Sequence, residues 1–304
     1  MKIEINNLTK EYDELIALNG VNITLVTGMY GLLGANGAGK STLMKILAGI
    51  LDKTSGGIKL DGNVIKKTGQ IRKLIGYIPQ TFSFYPNMTV FEIMDYFSAL
   101  NGVKKNRKER IGKLLEMTHL TDKSRAKVKE LSGGMKQRLG IAAALVKDPG
   151  LLLVDEPTVG LDPKERVHFS NVLMTFSKDK IILLSSHIVS DIESTCENLA
   201  ILNYGNAIYN GSKKALLDEC NGKIWEFATS LEESVALEEK FSVSSKNIYH
   251  NEAVLRVVSE EKPVDSAVNV SPTLNDAYIY KIDEDDKKFA EPGFLEMNTR
   301  NHQT

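Results

Sequence analysis

A glycine-rich segment, set between an apolar strand pattern and a helical pattern, limits this 304-residue chain to a small number of folds. The segment Gly34-Ala-Asn-Gly-Ala-Gly-Lys-Ser41 fits the spacing GxxxxGK[ST]. The apolar run 31–34 leads into it, and a helical pattern follows over residues 41–48. A strand, a tight glycine loop and a helix in this order predict one unit of an open α/β sheet.

The glycine-rich segment also predicts nucleotide binding. Its glycines let backbone N–H groups turn towards phosphate oxygens, and the N-terminus of the following helix adds positive potential. Lys40 is expected to reach the β and γ phosphates, and the Ser41 hydroxyl is expected to ligate Mg²⁺. The residues that this segment contributes to the predicted ATP site are Gly34, Asn36, Gly37, Ala38, Gly39, Lys40, Ser41 and Thr42.

Two acidic residues, Asp155 and Glu156, directly follow the apolar run 151–154, which is typical of a buried strand. Ligands bind at the carboxyl ends of strands in an open α/β sheet, and packing alone explains buried carboxylates poorly. Asp155 is suited to coordinating Mg²⁺ through water, and Glu156 to polarising an attacking water. The alternative is that the pair caps the helix that follows.

A third motif, Leu131-Ser-Gly-Gly-Met-Lys-Gln-Arg138, predicts another bare helix N-terminus that can meet an anion. Alone it would be an ordinary N-cap loop. Together with the glycine-rich segment and the acid pair, in this order, it resembles the ATP-binding subunits of ABC transporters over roughly residues 1–210. The resemblance implies a P-loop NTPase fold of the ABC type, with an inserted helical subdomain, that binds ATP and Mg²⁺.

Further positions follow from the resemblance. Tyr12 lies where the family stacks an aromatic ring on adenine, although a strand-edge surface tyrosine is the alternative. Gln80 matches the glutamine that touches Mg²⁺, so the implied metal set is Ser41, Gln80 and Asp155. Asp162 matches the loop that crosses the dimer interface. His187 matches the histidine that contacts the γ-phosphate, which makes Glu156 and His187 the implied catalytic residues.

The resemblance further implies a composite site between two ATPase subunits paired head to tail. Each ATP would be enclosed by the glycine-rich segment of one subunit and the signature motif of the other. One helix N-terminus cannot surround a triphosphate, whereas a second from a partner could complete the site. The residues expected to act in trans are Ser132, Gly133, Gly134 and Gln137. A homodimer is expected, and a pair of different ATPase chains stays open.

The sequence predicts more than one domain. Residues 1–211 are expected to form the ATP-binding domain, with the helical subdomain at about 81–146. Residues 212–282 are expected to form a small α+β accessory domain, in which 226–241 is a charged helical stretch. Residues 283–304 are expected to be a flexible tail, because they are rich in charge and carry few core-forming residues.

Composition limits the partners. Lys plus Arg number 38 and Asp plus Glu 39, a balance that does not suggest a nucleic-acid partner. No apolar run approaches the roughly 18–20 residues that span a bilayer. If the protein works at a membrane, another chain must cross it. Only two cysteines are present, which favours a reducing compartment over a disulfide scaffold.

The sequence thus predicts an ATP-hydrolysing subunit that energises export through separate membrane-spanning permease subunits. Its expected place is cytoplasmic, peripheral on the inner face of the cell membrane. Residues 271–280 resemble the C-terminal element of the drug- and peptide-export branch, including antibiotic self-resistance exporters. The alternatives are a soluble ABC-type ATPase acting on ribosomes or nucleic acid, and a regulatory ATP-binding module without hydrolysis. The aromatic segment 81–88 could receive a permease helix or serve as subdomain core.

Overall fold

The computed structural model describes residues 1–13, 15–65, 71–72, 74–158 and 161–290. The chain divides into two compact units, of which the first is Met1–Asn210 and the second begins at Gly211. The described strands of the first unit are β1 (Lys2–Tyr12), β2 (Leu15–Val26), β3 (Gly28–Leu33), β4 (Ser55–Leu60), β5 (Asn63–Val64), β6 (Ile75–Ile78), β7 (Leu151–Asp155), β8 (Ile181–Ser185), β9 (Asn198–Asn203) and β10, which continues past the boundary (Asn206–Ser212).

Helices follow most of the central strands. The described helices of this unit are α1 (Lys40–Leu47), α2 (Val90–Leu100), α3 (Arg107–Met117), α4 (Gly133–Leu145), α5 (Pro163–Phe176) and α6 (Val189–Glu193), with 3₁₀ turns at Thr121–Lys123 and Val128–Glu130. This alternation of strands and helices confirms the predicted α/β class.

The central sheet has the strand order β10-β9-β3-β8-β7-β6. Its inner pairs β9/β3, β3/β8, β8/β7 and β7/β6 are parallel. Strands β7 and β8 are buried at every position, as parallel strands covered on both faces must be. Because these strands run the same way, the residues that follow β3, β7 and β8 meet at one edge of the sheet.

A second, antiparallel sheet with the order β2-β1-β4-β5 shares a hydrophobic core with the central sheet and α1. Alternate residues of β1 and β2 point into this core, among them Ile3, Ile5, Ile23 and Leu25. The alternation of apolar and polar residues along β1 and β2 therefore produces a half-buried sheet.

The helical segment begins with a capping box at Thr89. The Thr89 hydroxyl accepts a hydrogen bond from the Glu92 backbone N–H, and the Glu92 carboxylate accepts one from the Thr89 N–H. This reciprocal pairing satisfies backbone donors at the start of α2. Helices α2, α3 and α4 contact one another and form a helical layer between β6 and β7 in the sequence.

The second unit is built on an antiparallel sheet. Its described elements are α7 (Lys213–Glu219), β11 (Ile224–Ser230), α8 (Leu231–Lys240), β12 (Ser242–Tyr249), β13 (Glu252–Val258), β14 (Val268–Asn269) and α9 (Leu274–Ala290), and the strand order is β12-β13-β11-β14. One face of the sheet contributes Phe227, Leu255 and Val257 to a small core.

Two expectations for this unit are wrong. Residues 226–230, predicted as helix, lie in β11, where they pair with β13 and place Phe227 in the core. The helix begins after them because the Ser230 hydroxyl accepts a hydrogen bond from the Glu233 N–H, an N-cap.

Residues 283–290, predicted as flexible tail, are helical. Side-chain pairs one turn apart stabilise this part of α9, including Tyr280 with Glu284 at 2.8 Å. Residues 291–304 lie outside the described part of the chain.

Within the described ranges, no helix is both long and apolar enough to cross a bilayer.

Candidate functional site

The candidate site lies at the edge of the central sheet where β3, β7 and β8 end. Asp155 is paired with Ser185 across β7 and β8, and Leu32 of β3 is paired with the same serine from the other side. Glu156 and His187 follow these strand ends directly. Strand register alone therefore brings the acid pair and the histidine to the glycine-rich loop after β3.

The glycine-rich loop needs its glycines for steric reasons. Gly39, which precedes α1, has a φ of 100°, a conformation that residues with a Cβ rarely adopt. A Cβ at Gly39 would also lie 2.6 Å from the carbonyl oxygen of Ala17. The backbone at the tip of the loop is exposed at residues 35–37, whereas Ala38 and Gly39 are buried against the sheet. The loop can thus offer backbone N–H groups to an anion.

Lys40 is buried and fully engaged within the site. Its ammonium donates hydrogen bonds to the carbonyl oxygens of Gly34 at 2.7 Å and Ala35 at 3.1 Å. It also lies 3.5 Å from Oε1 of Glu156, with only 4% and 8% of the two side chains exposed. The phosphate-binding lysine is thus held by its own loop and by the second acid of the pair.

Glu156 is the centre of a polar cluster. Its Oε2 accepts a hydrogen bond from the Gln80 side-chain amide at 3.1 Å and lies 3.1 Å from Nδ1 of His187. Its backbone has a φ of 45°, an uncommon conformation for a residue with a side chain. The backbone N–H donates to Ser185, which holds the residue in that conformation. Strain of this kind concentrates at functional sites.

Asp155 is 2% exposed and surrounded by hydroxyl groups. It accepts a hydrogen bond from Ser185 at 2.6 Å, and the hydroxyls of Ser41 and Tyr77 each lie 3.4 Å away. Burial and the neighbouring carboxylate raise the pKa of Tyr77, so the tyrosine stays protonated and donates to Asp155. Sequence reasoning missed Ser185 and Tyr77, whose roles depend on strand register.

The oxygen donors around Asp155 match the chemistry of a hard cation. Ser41 offers a hydroxyl, Asp155 a carboxylate and Gln80 an amide oxygen, and all three lie around the same loop. Mg²⁺ prefers such oxygen ligands and keeps several waters. Among the described residues, no group of three or more His, Cys, Asp or Glu side chains could hold a metal ion.

The signature motif forms the N-terminus of α4. The Ser132 hydroxyl accepts a hydrogen bond from the Met135 N–H at 3.2 Å, and Ser132 and Gly133 are exposed. Gly134 is buried, and a Cβ there would overlap the Glu165 carboxylate. The side-chain oxygen of Gln137 is buried, and no described residue donates a hydrogen bond to it. Among the described residues, no hydrogen bond joins this exposed helix start to Lys40 or Glu156.

Two other predicted residues lie apart from the Glu156 cluster. Tyr12 ends β1 with 41% of its surface exposed, and the Lys10 ammonium lies 4.8 Å from its ring centroid. Asp162 caps α5, because its Oδ1 accepts a hydrogen bond from the Glu165 N–H at 2.9 Å. Gly160, which precedes Asp162 by two residues in the loop expected to cross the dimer interface, lies outside the described residues. The structure brings Lys40, Ser41, Gln80, Asp155, Glu156 and His187 together. Tyr12 lies at the end of β1, whereas Asp162 and the signature motif lie near each other, with Glu165 of α5 beside Gly134.

The chain is similar to known ATP-binding proteins. The family model described as ABC transporter matches residues 18–159. The linearmycin resistance ATP-binding protein LnrL of Bacillus subtilis (strain 168) is 32% identical over 253 residues, covering 82% of this chain and 80% of the relative. The Nod factor export ATP-binding protein I of Burkholderia orbicola (strain AU 1054) is 37% identical over 220 residues, covering 71% and 72%.

Solved structures agree in fold. The structure of an ATP-binding subunit of an ABC transporter has a TM-score of 0.64 at 28% identity, covering 72% of this chain and 93% of that one. A dimeric post-hydrolysis state of an ATP-binding cassette with ADP and Pi has a TM-score of 0.61 at 25% identity, covering 69% and 98%. With the relatives above, these matches show that the chain belongs to the ABC transporter family as one of its ATP-binding-cassette ATPases, with the P-loop NTPase fold.

Proposed function

We propose that this chain is the ATP-hydrolysing subunit of an exporter, and that it energises export through separate membrane-spanning permease subunits. The observation that carries the proposal is the convergence of three sequence-distant segments on Glu156, which lies 3.5 Å from the Lys40 ammonium and 3.1 Å from Nδ1 of His187. The similarity to a resistance protein and to Nod factor export proteins supports export as the direction.

ATP would be bound by the glycine-rich loop, with Lys40 leaving the carbonyl oxygens of Gly34 and Ala35 for the phosphates. Tyr12 is proposed to stack on adenine, since its ring is exposed at the end of β1. Mg²⁺ would be held by Ser41, Gln80 and Asp155, and when bound it neutralises charge on the phosphate oxygens. Tyr77 and Ser185 fix the Asp155 carboxylate by donating to it.

Glu156 is proposed to polarise the attacking water. Gln80 and His187 both contact the same carboxylate oxygen, Oε2, which fixes the orientation of the group. The other oxygen, Oε1, faces Lys40 and becomes available when that lysine turns to the phosphates. A general base must be held at a defined position, and the contacts of Gln80 and His187 with Oε2 supply that constraint.

The complete site is proposed to require a second ATPase subunit, in the simplest case another copy of this chain. Ser132 and Gly133 are exposed at the N-terminus of α4, where backbone N–H groups can meet the γ-phosphate of the partner's ATP. Gln137, whose buried side-chain oxygen lacks a partner in the described structure, lies one turn further along the same helix. Asp162 is proposed to cross the interface beside them.

A permease helix is the proposed occupant of a groove beside α2. The groove has a volume of about 340 Å³, and its walls include Phe82, Phe84 and Phe97. These rings pack edge to face, with centroids 5.3 and 5.9 Å apart, and are partly exposed. Segment 81–88 therefore supplies both subdomain core and groove wall. Docking there would hold the chain on the inner face of the cell membrane.

The test combines turnover with partner identity. The purified chain should hydrolyse ATP in the presence of Mg²⁺. A tagged Glu156→Gln variant, trapped with ATP, should recover a polytopic membrane protein from native membranes in stoichiometric amount, identified by mass spectrometry. Recovery of ribosomes or nucleic acid without a membrane protein would refute the export proposal, and absence of turnover would indicate a purely regulatory module.

A further inference from the structure

A buried aspartate outside the predicted site contacts the segments that carry the catalytic residues. Asp191 lies in α6, four residues after His187, and is 8% exposed. Its Oδ2 accepts a hydrogen bond of 2.6 Å from the hydroxyl of Thr158, which is 2% exposed. Thr158 follows Glu156 by two residues. The segments after β7 and β8 are therefore joined twice, by Glu156 with His187 at 3.1 Å and by Thr158 with Asp191.

The second carboxylate oxygen of Asp191 points to a third segment. Oδ1 lies 3.8 Å from a terminal nitrogen of Arg166, in the first turn of α5. The Nε of the same guanidinium donates a hydrogen bond of 3.1 Å to the carbonyl oxygen of Leu161. Leu161 directly precedes Asp162, and the Arg166 N–H donates to the Asp162 carbonyl at 3.0 Å. Arg166 thus connects Asp191 to the backbone of the predicted interface loop.

Burial makes this arrangement specific. A carboxylate removed from water is costly unless its oxygens are paired, and Asp191 is compensated by one hydroxyl and one guanidinium. A short hydroxyl-to-carboxylate hydrogen bond is charge-assisted and stronger than a neutral one. Displacing Thr158 or Arg166 would leave one oxygen of the buried Asp191 carboxylate without its partner, so the three segments are expected to move together.

We propose that Asp191 is a positioning residue that, with Thr158 and Arg166, holds the Asp162 loop in register with the Glu156–His187 pair. The inference rests on the proposed function, since it concerns the coupling of hydrolysis in one subunit to the dimer surface. Among the described residues, no hydrogen bond or ion pair joins Asp191 to the glycine-rich loop, and the side-chain partners of Asp191 are Thr158 and Arg166. It acts through Thr158 on the segment of Glu156 and through Arg166 on the segment of Asp162.

Two conservative variants separate its contacts. Asp191→Asn keeps the size and one acceptor oxygen for Thr158 but removes the charge that faces Arg166. Thr158→Val removes the hydroxyl donor and keeps the shape of the side chain. The matched control is Asp179→Asn, an exposed aspartate between α5 and β8. All three are made in the full chain, and the first two are also combined as a double variant.

The expected result is a split between turnover and binding. Each single variant should lower kcat about tenfold, while KM for ATP and the affinity for a fluorescent ATP analogue stay within about twofold. Tenfold corresponds to about 1.4 kcal/mol, near the lower end for a hydrogen bond to a charged group. The double variant should be no slower than the slower single variant, because both changes break one linkage. In a Glu156→Gln background, Asp191→Asn should raise the Kd of the ATP-driven dimer about tenfold by analytical ultracentrifugation.

Other outcomes overturn the inference. If kcat is unchanged in both single variants while the wild type hydrolyses ATP, Asp191 has no positioning role and the proposed function stands. If kcat, nucleotide affinity and Tm fall together, Asp191 is merely structural. If Asp191→Asn fails to fold, Thr158→Val alone decides between these results. A wild-type chain without turnover refutes the proposed function and this inference with it.

Discussion

Replacing Glu156 by glutamine should separate the two roles that the structure gives this side chain. The substitution keeps the size of the group and removes its charge. Gln80 and His187 can still contact an amide oxygen in place of Oε2, so the local structure should persist. What disappears is the negative charge 3.5 Å from the Lys40 ammonium and the proposed general base.

The magnitudes follow from this geometry. Loss of a general base lowers turnover by about 10²–10⁴-fold, which corresponds to roughly 3–5 kcal/mol in the activation free energy. The attraction between Lys40 and Glu156 at 3.5 Å is on the order of 5 kcal/mol at an effective dielectric constant of about 20. ATP must draw Lys40 away from this carboxylate. In the wild type, part of this lost attraction is replaced by new contacts of Lys40 with the phosphates. If about 1.4 kcal/mol of it is not replaced, the variant, which has no such attraction to lose, binds ATP about tenfold more tightly.

The assay measures both quantities on the same preparations. Steady-state hydrolysis of Mg²⁺-ATP gives kcat, and titration with a fluorescent ATP analogue gives the dissociation constant. Asp179→Asn, which removes an exposed carboxylate elsewhere in the same unit, controls for the change in net charge. Turnover within threefold of the wild type would disprove the base assignment. Weaker ATP binding would disprove the reasoning about Lys40, even if turnover were lost.

Three further changes have defined outcomes. Lys40→Ala should weaken ATP binding at least about tenfold, because the glycine-rich loop loses the buried ammonium that is proposed to bind the phosphates. Fluorescence titration measures this change. Gly134→Ala should weaken the ATP-driven dimer without changing ATP affinity, since its Cβ overlaps the Glu165 carboxylate, and a second change of Glu165 to Ser should restore the dimer. Asp276→Asn should lower the free energy of unfolding of the second unit by about 3 kcal/mol in urea titrations, because it breaks a buried pair with Arg256. Burial opposes ionisation of Asp276, but hydrogen bonds from Arg256 and neighbouring hydroxyls outweigh this effect and lower the pKa of Asp276. The stabilisation is therefore complete above the unfolded-state pKa of about 4 and is lost as the pH falls through the lower pKa of the folded state. The Asp276→Asn variant should lack this pH dependence.

The sequence predicted those features of the site that are local in the chain. Lys40 and Ser41 belong to one contiguous motif, and Asp155 and Glu156 follow one apolar run, so spacing alone identifies them. His187 was identified by its resemblance to the family histidine that contacts the γ-phosphate. None of these patterns required knowledge of which strands are neighbours.

Features that depend on strand register could not be predicted in the same way. Ser185 contacts Asp155 because β7 and β8 are adjacent and paired at these two residues. Tyr77 reaches the same carboxylate from β6 on the other side of β7. The sequence contains both residues but not the strand order. The link between Asp191 and Thr158, 33 residues apart, was missed for the same reason.

The second unit shows a different cause of error. Residues 226–230 contain charge and helix-forming residues, which favoured a helix, but pairing with β13 buries Phe227 and outweighs that local preference. The error at 283–290 came from treating charge as a sign of disorder. On α9 the same charges pair along the helix, as Lys281 does with Glu284 at 2.8 Å.

The charged groups of the candidate site satisfy one another in this structure, and this bears on how ATP can act as a signal. Lys40 is compensated by two carbonyl oxygens and Glu156, while Glu156 is also held by Gln80 and His187. A triphosphate that takes Lys40 leaves Glu156 with only its contacts to those two side chains. Glu156 is two residues from Thr158, and Thr158 donates a hydrogen bond to Asp191. Asp191 in turn lies beside Arg166, which donates to the carbonyl oxygen of Leu161. A change in the position of Glu156 can therefore reach the segment before Asp162 through these contacts. Under the proposed function, occupancy of the loop by ATP therefore alters the proposed dimer surface around Asp162 without any contact between the nucleotide and that surface in the same subunit.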